Sequence, residues 1–241
     1  MNNTTNAPER LSPAGLLGPD GLALGIRPYY QDAAVTIYHG DNRVIMPQLA
    51  PFDLLLTDPP YGIGADKNLR ANTQHGKALA VSRDYGEGNW DRSPVDEWVM
   101  FLARRLGKKQ IIFGGNYYEL PPAKCWLVWD KLNGDNGYAD CELAWTNLEK
   151  AVRRKVHQWH GMIRKGGEDR EHPTQKPLEV ISWALQQAGD VTTVLDPWAG
   201  SGTTGRACKD LGKLCVLIER EERYCEIAAR RLEQDVLPLG A

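Results

Sequence analysis

The chain has 241 residues, enough for one α/β domain with a large core. Its 29 Lys and Arg against 31 Asp and Glu leave a net charge of -2, so no global basic field announces a nucleic acid and any such contact has to be local. The five cysteines (Cys125, Cys141, Cys208, Cys215, Cys225) make no C-x-x-C pair or metal-ligand spacing, and they read as reduced core residues of an intracellular protein.

Residues 1–31 are rich in Asn, Pro and Gly without a sustained period and predict a leader. They lack a basic-then-apolar signal pattern, and no run in the chain approaches a membrane span, which predicts a cytoplasmic protein. Residues 32–235 read as a single domain and 236–241 as a tail. The first strand is predicted over Val35–His39. It ends at Gly40-Asp41-Asn42, where Asp41 is placed to cap a short helix.

The apolar run Asp53-Leu54-Leu55-Leu56-Thr57 predicts a strand buried on both faces, and Asp58-Pro59-Pro60-Tyr61 follows it. A carboxylate at the carboxyl end of such a strand sits where open α/β sheets place their chemistry. The prolines fix φ and remove two N–H donors, leaving carbonyls to face a ligand, and Tyr61 adds an aromatic face. An ordinary strand-ending Asp with a Pro-Pro turn is the plainer alternative. The polar segment 62–89 carries Lys67, Arg70, Lys77 and Arg83. Its length and its start at this turn favour a loop that closes over a substrate, against a plain surface loop.

Ser93-Pro94 predicts a helix start, and Val95, Trp98, Val99, Leu102 and Leu106 share one predicted buried face up to Gly107. Strands follow at Gln110 to Phe113, Trp126 to Trp129 and Cys141 to Trp145, the first ending in Gly114-Gly115, where glycine permits close approach to a ligand. This alternation indicates a doubly wound sheet. The basic segment comes next, with Lys150, Arg153, Arg154, Lys155, Arg164, Lys165 and Arg170 interleaved with His157, Trp159 and His160. Phosphates attract such cations and unstacked bases suit the aromatic rings, while a solvated charged face is the alternative. The two histidines have no matching Cys or carboxylate set, so no metal site is expected.

His172-Pro173-Thr174-Gln175-Lys176-Pro177 forms a stiff turn before a helix whose predicted buried side holds Leu178, Ile181, Leu185 and Ala188. The β-branched run from Val191 to Leu195 predicts the central strand, entering Asp196-Pro197-Trp198-Ala199-Gly200-Ser201-Gly202-Thr203-Thr204 and a helix to Leu211. Gly200, Gly202 and Gly205 spell G-x-G-x-x-G, and Glu219 lies about 20 residues on, as a ribose ligand would. A nicotinamide-dependent oxidoreductase therefore competes. Against it, Asp196 sets a carboxylate where a pyrophosphate would sit, and the other two motifs are left unused. A phosphate-binding P-loop fails because Arg206-Ala207 stand where Lys and Ser/Thr are required. The last helix is predicted from Arg220 to Gln234 with Tyr224, Ile227, Ala228 and Leu232 inward.

With Asp58 to Tyr61 first, His172 to Pro177 later and the glycine turn last, the chain resembles the β-class amino-methyltransferases of DNA over about residues 35–232. The resemblance implies a Rossmann-like, mostly parallel α/β sheet with a permuted motif order. It also implies S-adenosylmethionine as cofactor and transfer of its methyl group to an exocyclic amino nitrogen of a base extruded from double-stranded DNA. Asp58, Pro59, Pro60 and Tyr61 become the catalytic set. The cofactor set becomes Asp41, Asp58, His172, Pro173, Thr174, Gln175, Lys176, Asp196, Pro197, Ala199, Gly200, Ser201, Gly202, Thr203, Thr204, Glu219 and Arg220. Asp at position 58 leans to adenine N6, cytosine enzymes of the family more often showing Ser. Only residues 62–89 and 147–171 are available for target recognition, and relatives look dimeric, so a homodimer is expected. A catalytically silent DNA-binding relative is the last alternative.

Overall fold

Three consecutive leucines anchor the molecule. Leu54, Leu55 and Leu56 are fully buried in the strand Phe52–Thr57. The protein is described by a computed structural model covering residues 26–63, 94–133, 139–160, 163–164 and 175–233. In chain order the strands are β1 (Tyr30–Gln31), β2 (Val35–His39), β3 (Phe52–Thr57), β4 (Gly107–Phe113), β5 (Trp126–Asp130), β6 (Cys141–Thr146), β7 (Arg153–Val156), β8 (Trp159–His160), β9 (Ile163–Arg164), β10 (Thr193–Asp196) and β11 (Leu214–Glu219). The α-helices are α1 (Asn42–Ile45), α2 (Glu97–Leu106), α3 (Leu178–Gln187), α4 (Thr203–Asp210) and α5 (Glu222–Glu233).

The main sheet has the order β1-β2-β11-β10-β3-β4-β6-β5-β7. From β2 through β4 all neighbours pair parallel. β6 runs antiparallel to both β4 and β5, while β7 is parallel to β5. β5 and β7 therefore point the same way as β3, and their carboxyl ends share its edge of the sheet. A separate antiparallel ribbon joins β8 and β9.

Alternation along β3 divides the core. Leu54 and Leu56 face a cluster built with Ile181 and Leu185 of α3, Ala207 of α4 and Ala228 of α5. Leu55 faces the opposite cluster, with Ile45 of α1 and Val99 and Ala103 of α2. Helices thus cover both faces, as a parallel sheet with nonpolar sides requires. β10 and β3 lie side by side in parallel register, Val194 against Leu54 and Leu195 against Leu55. From this pair the chain winds outward in both directions, β10 to β11 on one side and β3 to β4 on the other. The crevice at such a reversal is where open α/β sheets bind ligands.

Several expectations need correction. α2 starts at Glu97, after an Asp96 that makes no side-chain cap, and Pro94 instead forms an isolated bridge with Tyr61. The buried stripe of α2 is Val99, Met100, Ala103 and Leu106, while Trp98 is 54% exposed and Phe101 60%. Val99 and Leu106 face inward as expected, whereas Met100 and Ala103 take the fully buried places expected of Trp98 and Leu102. Cys141 is exposed, unlike the other four cysteines, because it opens β6 at the sheet's edge. His157 and Trp159 are buried, so these rings do not offer a base a stacking surface. No helix among the described residues is long and apolar enough to cross a membrane.

Candidate active site

Parallel pairing of β10 with β3 carries two acids to the same edge. Asp196 is the last residue of β10, and Asp58 follows β3 directly. Thr57 of β3 donates its hydroxyl to Asp196 Oδ1 at 2.7 Å, so the two motifs, 139 residues apart, are joined by a buried hydrogen bond. Thr204 donates to Oδ2 at 2.6 Å and the Trp198 backbone N–H to Oδ1 at 3.1 Å. Burial nevertheless pushes the Asp196 carboxyl up to about 6, the hydroxyl and amide donors only partly opposing it.

The glycine turn is shaped for a backbone conformation that a side chain resists. Gly202 has φ +77°, and a Cβ there would stand 2.6 Å from the Ala228 Cβ of α5. Gly200 donates its N–H to Glu219 Oε2 at 2.8 Å, and Glu221 donates to Oε1 at 2.8 Å. Burial dominates at Glu219 as well, raising its carboxyl to about 7 against these backbone donors. From α5, the Arg231 guanidinium donates to the Ser201 carbonyl at 2.7 Å and to the Thr203 hydroxyl at 3.2 Å, bracing the turn from behind. Gln175 lies 3.4 Å from the Ser201 hydroxyl, which brings the proline-rich turn onto the glycine turn.

Around Asp58 the partners are side chains. Tyr61 donates its hydroxyl to Oδ1, and the buried Lys176 ammonium donates to Oδ2 at 2.5 Å. Burial and the Asp58 and Glu142 charges hold the Tyr61 phenol well above its ordinary range, so it stays a donor. The Tyr61 ring lies over Gly114, where φ is +64° and a Cβ would come within 2.0 Å of the ring. Tyr117 stacks on the same ring, centroids 4.9 Å apart and 17° between planes. Gly114 and Gly115 thus serve close packing by Tyr61 and Trp145 and not the approach of a ligand. The Pro60 carbonyl, expected to be available, accepts from the Tyr118 hydroxyl. Pro59 takes no such bond among the described residues, and its ring is buried.

A cavity of about 460 Å³ opens at this edge. Of the expected cofactor residues, its lining includes Asp41, Asp58, Gln175, Lys176, Asp196, Pro197, Ala199, Gly200, Ser201, Thr203, Thr204, Glu219 and Arg220. Gly202 stands behind the wall, while His172, Pro173 and Thr174 are outside the described residues. Asp41 accepts from the Arg43 backbone N–H, capping α1, and pairs with the Arg43 side chain. Sequence reasoning missed Asn42, which ties its amide to the Pro197 carbonyl at 3.0 Å, and Tyr224, read only as core, which is both buried and part of the lining. It also missed Glu142. Lys131, at 2.5 Å, and Lys176, at 3.0 Å, both approach this carboxylate. No local pattern marks Glu142, whose place depends on the antiparallel insertion of β6.

The volume falls in the ~300–1,000 Å³ range of cofactor sites. A nucleoside bearing a cationic amino acid suits the lining chemically, with Glu219 available to ribose hydroxyls and the Asp58 and Asp196 carboxylates to positive charge. S-adenosylmethionine is such a molecule, and these residues fit it.

Of the basic residues, Arg153 is exposed on β7, the last strand of the main sheet among the described residues. Arg154 pairs with Asp130 at 2.9 Å, Lys155 with Glu179 at 2.5 Å, and Lys150 donates to the Gln187 carbonyl at the end of α3. Arg164 belongs to β9, and its side chain is not described. Lys67, Arg70, Lys77, Arg83, Lys165 and Arg170 lie outside the described residues. No group of three or more His, Cys, Asp or Glu among the described residues could hold a metal.

A family model described as DNA methylase, of the N6/N4 methyltransferase type, matches residues 115–230 and so includes the glycine turn. Similarity to whole relatives extends over the Asp58 half too. The chain is 26% identical to the type II methyltransferase M2.DpnII of Streptococcus pneumoniae, covering 89% of this chain and 96% of that one. It is 28% identical to the type II methyltransferase M.ScaI of Streptomyces caespitosus, covering 90% and 87%. Among solved structures the fold is similar to the M1.HpyAVI–SAM complex, with TM-score 0.52 and 22% identity over 83% of this chain and 100% of that one. It is likewise similar to the cytosine-N4-specific PvuII DNA methyltransferase, with TM-score 0.53 and 14% identity over 88% and 91%. The doubly wound fold, the two strand-end acids meeting at one cavity and these similarities agree, and together they support an S-adenosylmethionine-dependent DNA amino-methyltransferase of the N6/N4 type.

Proposed function

We propose that the chain is a site-specific methyltransferase acting on adenine N6 in double-stranded DNA, with the target base extruded into the site. The observation that carries this is the Asp58 carboxylate, which directly follows a central strand and lines the cofactor cavity. An exocyclic amino nitrogen has its lone pair delocalised into the ring and is a poor nucleophile. Asp58 and the Pro59 carbonyl accept hydrogen bonds from its two N–H groups, favouring a pyramidal nitrogen with its lone pair directed outward. Bound S-adenosylmethionine supplies an electrophilic methyl group on a sulfonium. The nitrogen loses one proton as it gains the methyl, and the Asp58 carboxylate accepts it. Tyr61 supplies a stacking face for the extruded base, which has to take the place of Tyr117 on that ring. Pre-positioning of the reacting groups does much of the remaining work, and no covalent protein intermediate is required.

The exposed Arg153 and Arg154 support DNA contact from the far side of the sheet, since β7 ends at the same edge as β3. The same reading has two copies of the chain acting together, because only short segments are available to read sequence. Sedimentation at assay concentrations tests that part. The chemistry is tested by transfer of a tritiated methyl group to DNA followed by nucleoside chromatography. Label in N6-methyl-2′-deoxyadenosine is expected. Label in N4-methylcytosine would replace adenine with cytosine as the target, and unlabelled DNA would overturn the proposal.

A further inference from the structure

Both oxygens of Asp58 are already engaged, Oδ1 by the Tyr61 hydroxyl and Oδ2 by Lys176. An amino group arriving at this acid therefore has to share an oxygen with one of these donors or displace it. Lys176 is buried, and an ammonium cannot be left there without a counter-charge. The second carboxylate within its reach is Glu142, whose Oε2 is 3.0 Å from Nζ. That oxygen is buried and accepts no aligned hydrogen bond, whereas Oε1 is held by Lys131 at 2.5 Å. A small swing of the Lys176 side chain would exchange one carboxylate for the other. The faces of Tyr61 and Phe113 lie about the ammonium, with centroids at 5.5 and 5.4 Å, and line its path.

We propose that Glu142 is a positioning residue of this active site, holding Lys176 as a counter-ion shared with Asp58 and receiving its ammonium when the target amino group takes Asp58. The inference rests on the role proposed above for Asp58. Sheet topology makes the arrangement possible. Glu142 is the second residue of antiparallel β6 and Lys131 follows parallel β5, so both arrive at the edge where β3 ends. The two acids and two lysines balance in charge. Among the described residues the other titratable groups facing the cluster are Tyr61 and Tyr118, with Asp196 beyond them on β10.

Each group's ionisation fits its part. Burial opposes charge on Glu142, but Lys176 and Lys131 outweigh it and hold the carboxyl down to about 2, so it stays ionised at any assay pH. Burial works against the Lys176 ammonium, and the Asp58 and Glu142 carboxylates overcome it. Asp58 is raised, first by burial and then by the Glu142 charge, with Lys176 opposing. Removing the Glu142 charge takes away one raising influence and leaves Lys176 wholly to Asp58. The carboxyl of Asp58 must then titrate lower while being harder to free.

The test is Glu142→Gln. The expected result is a loss of kcat on the order of tenfold, with the acid limb of its pH profile moved down by about one unit and S-adenosylmethionine affinity by calorimetry unchanged. In the cofactor-free protein, 13C NMR of the Asp58 carboxyl, assigned by comparison with Asp58→Asn, should show the same downward movement. Glu142→Asp, which keeps the charge, should restore the limb. Lys131→Gln has the opposite sign, since a freed Glu142 draws Lys176 away and the Asp58 limb rises. This second variant decides the matter should Glu142→Gln not fold. An unmoved limb and titration in either folded variant, or a loss of turnover matched by a loss of cofactor affinity, overturns the inference. Should Asp58→Ala retain wild-type turnover, the reading of Asp58 itself fails. An inactive Asp58→Ala beside an unaffected Glu142→Gln removes this inference alone.

Discussion

Asp58 and Asp196 terminate neighbouring parallel strands, yet their surroundings differ in kind. Asp196 is held by the short Thr57 and Thr204 hydroxyls on β3 and α4 and by the Trp198 backbone N–H of the following turn. Asp58 is held by a phenol and by an ammonium 118 residues away, both on rotatable side chains. The first set stays in place whenever the fold is intact, so Asp196 clamps β3 to the glycine turn. The second set can be exchanged for a substrate. Position at the carboxyl edge gives both acids access to the cavity, but the attachment of their donors separates an architectural role for Asp196 from the chemical one proposed for Asp58.

Substitutions can break or sharpen that contrast. The largest expected effect is from Asp58→Ala, which should lower methyl transfer by a thousandfold or more, on the order seen when a principal transition-state hydrogen bond is lost. Its cofactor affinity by calorimetry should be near normal, and near-normal turnover would refute the assignment. Gly202→Val attacks the other half. With φ at +77° and Ala228 behind it, a branched side chain forces the turn to move, and cofactor binding should fall below detection. Retained affinity would show that the turn does not hold the cofactor.

A smaller effect depends on pH. Burial raises Glu219 to about 7 from an ordinary 4.5, so the folded protein holds that proton more tightly than the unfolded chain does. The associated stability is fully present below about pH 4.5 and is lost as pH rises through 7. Glu219→Gln should therefore raise the stability of the cofactor-free protein at pH 8 relative to wild type, on the order of 2 kcal/mol, and change little at pH 4. Urea unfolding at the two pH values measures it. An equal shift at both would remove the carboxylate's titration as the cause. The smallest change expected is from Thr204→Val. Losing one donor to buried Asp196 should cost about 1 kcal/mol in the same assay and leave the acid limb of kcat in place. A moved limb would mean that Asp196 shares the chemistry of Asp58.

Much of the site was legible in the chain because it is written in local rules. A run of leucines ending in Asp58-Pro59-Pro60-Tyr61 and a β-branched run ending in Asp196 each predict a strand with an acid at its carboxyl end, as found. Gly200 and Gly202, picked out by their spacing, both adopt the positive φ that glycine permits. Hydrophobic period was less reliable for α2, where Met100 and Ala103 are buried and Trp98 is left outside. Alternating charge and aromatic residues did not reveal that His157 and Trp159 turn inward.

Residue types and their spacing by themselves determined the strand ends, the glycine turn and the kind of ligand those could hold, since backbone sterics and burial act within a few residues of chain. Tertiary structure alone decided which distant groups face Asp58. The reversal between β10 and β3 and the antiparallel insertion of β6 bring Lys176, Glu142 and Lys131 to one edge. Charges separated by scores of residues interact through space, and only the completed sheet sets the distances between them.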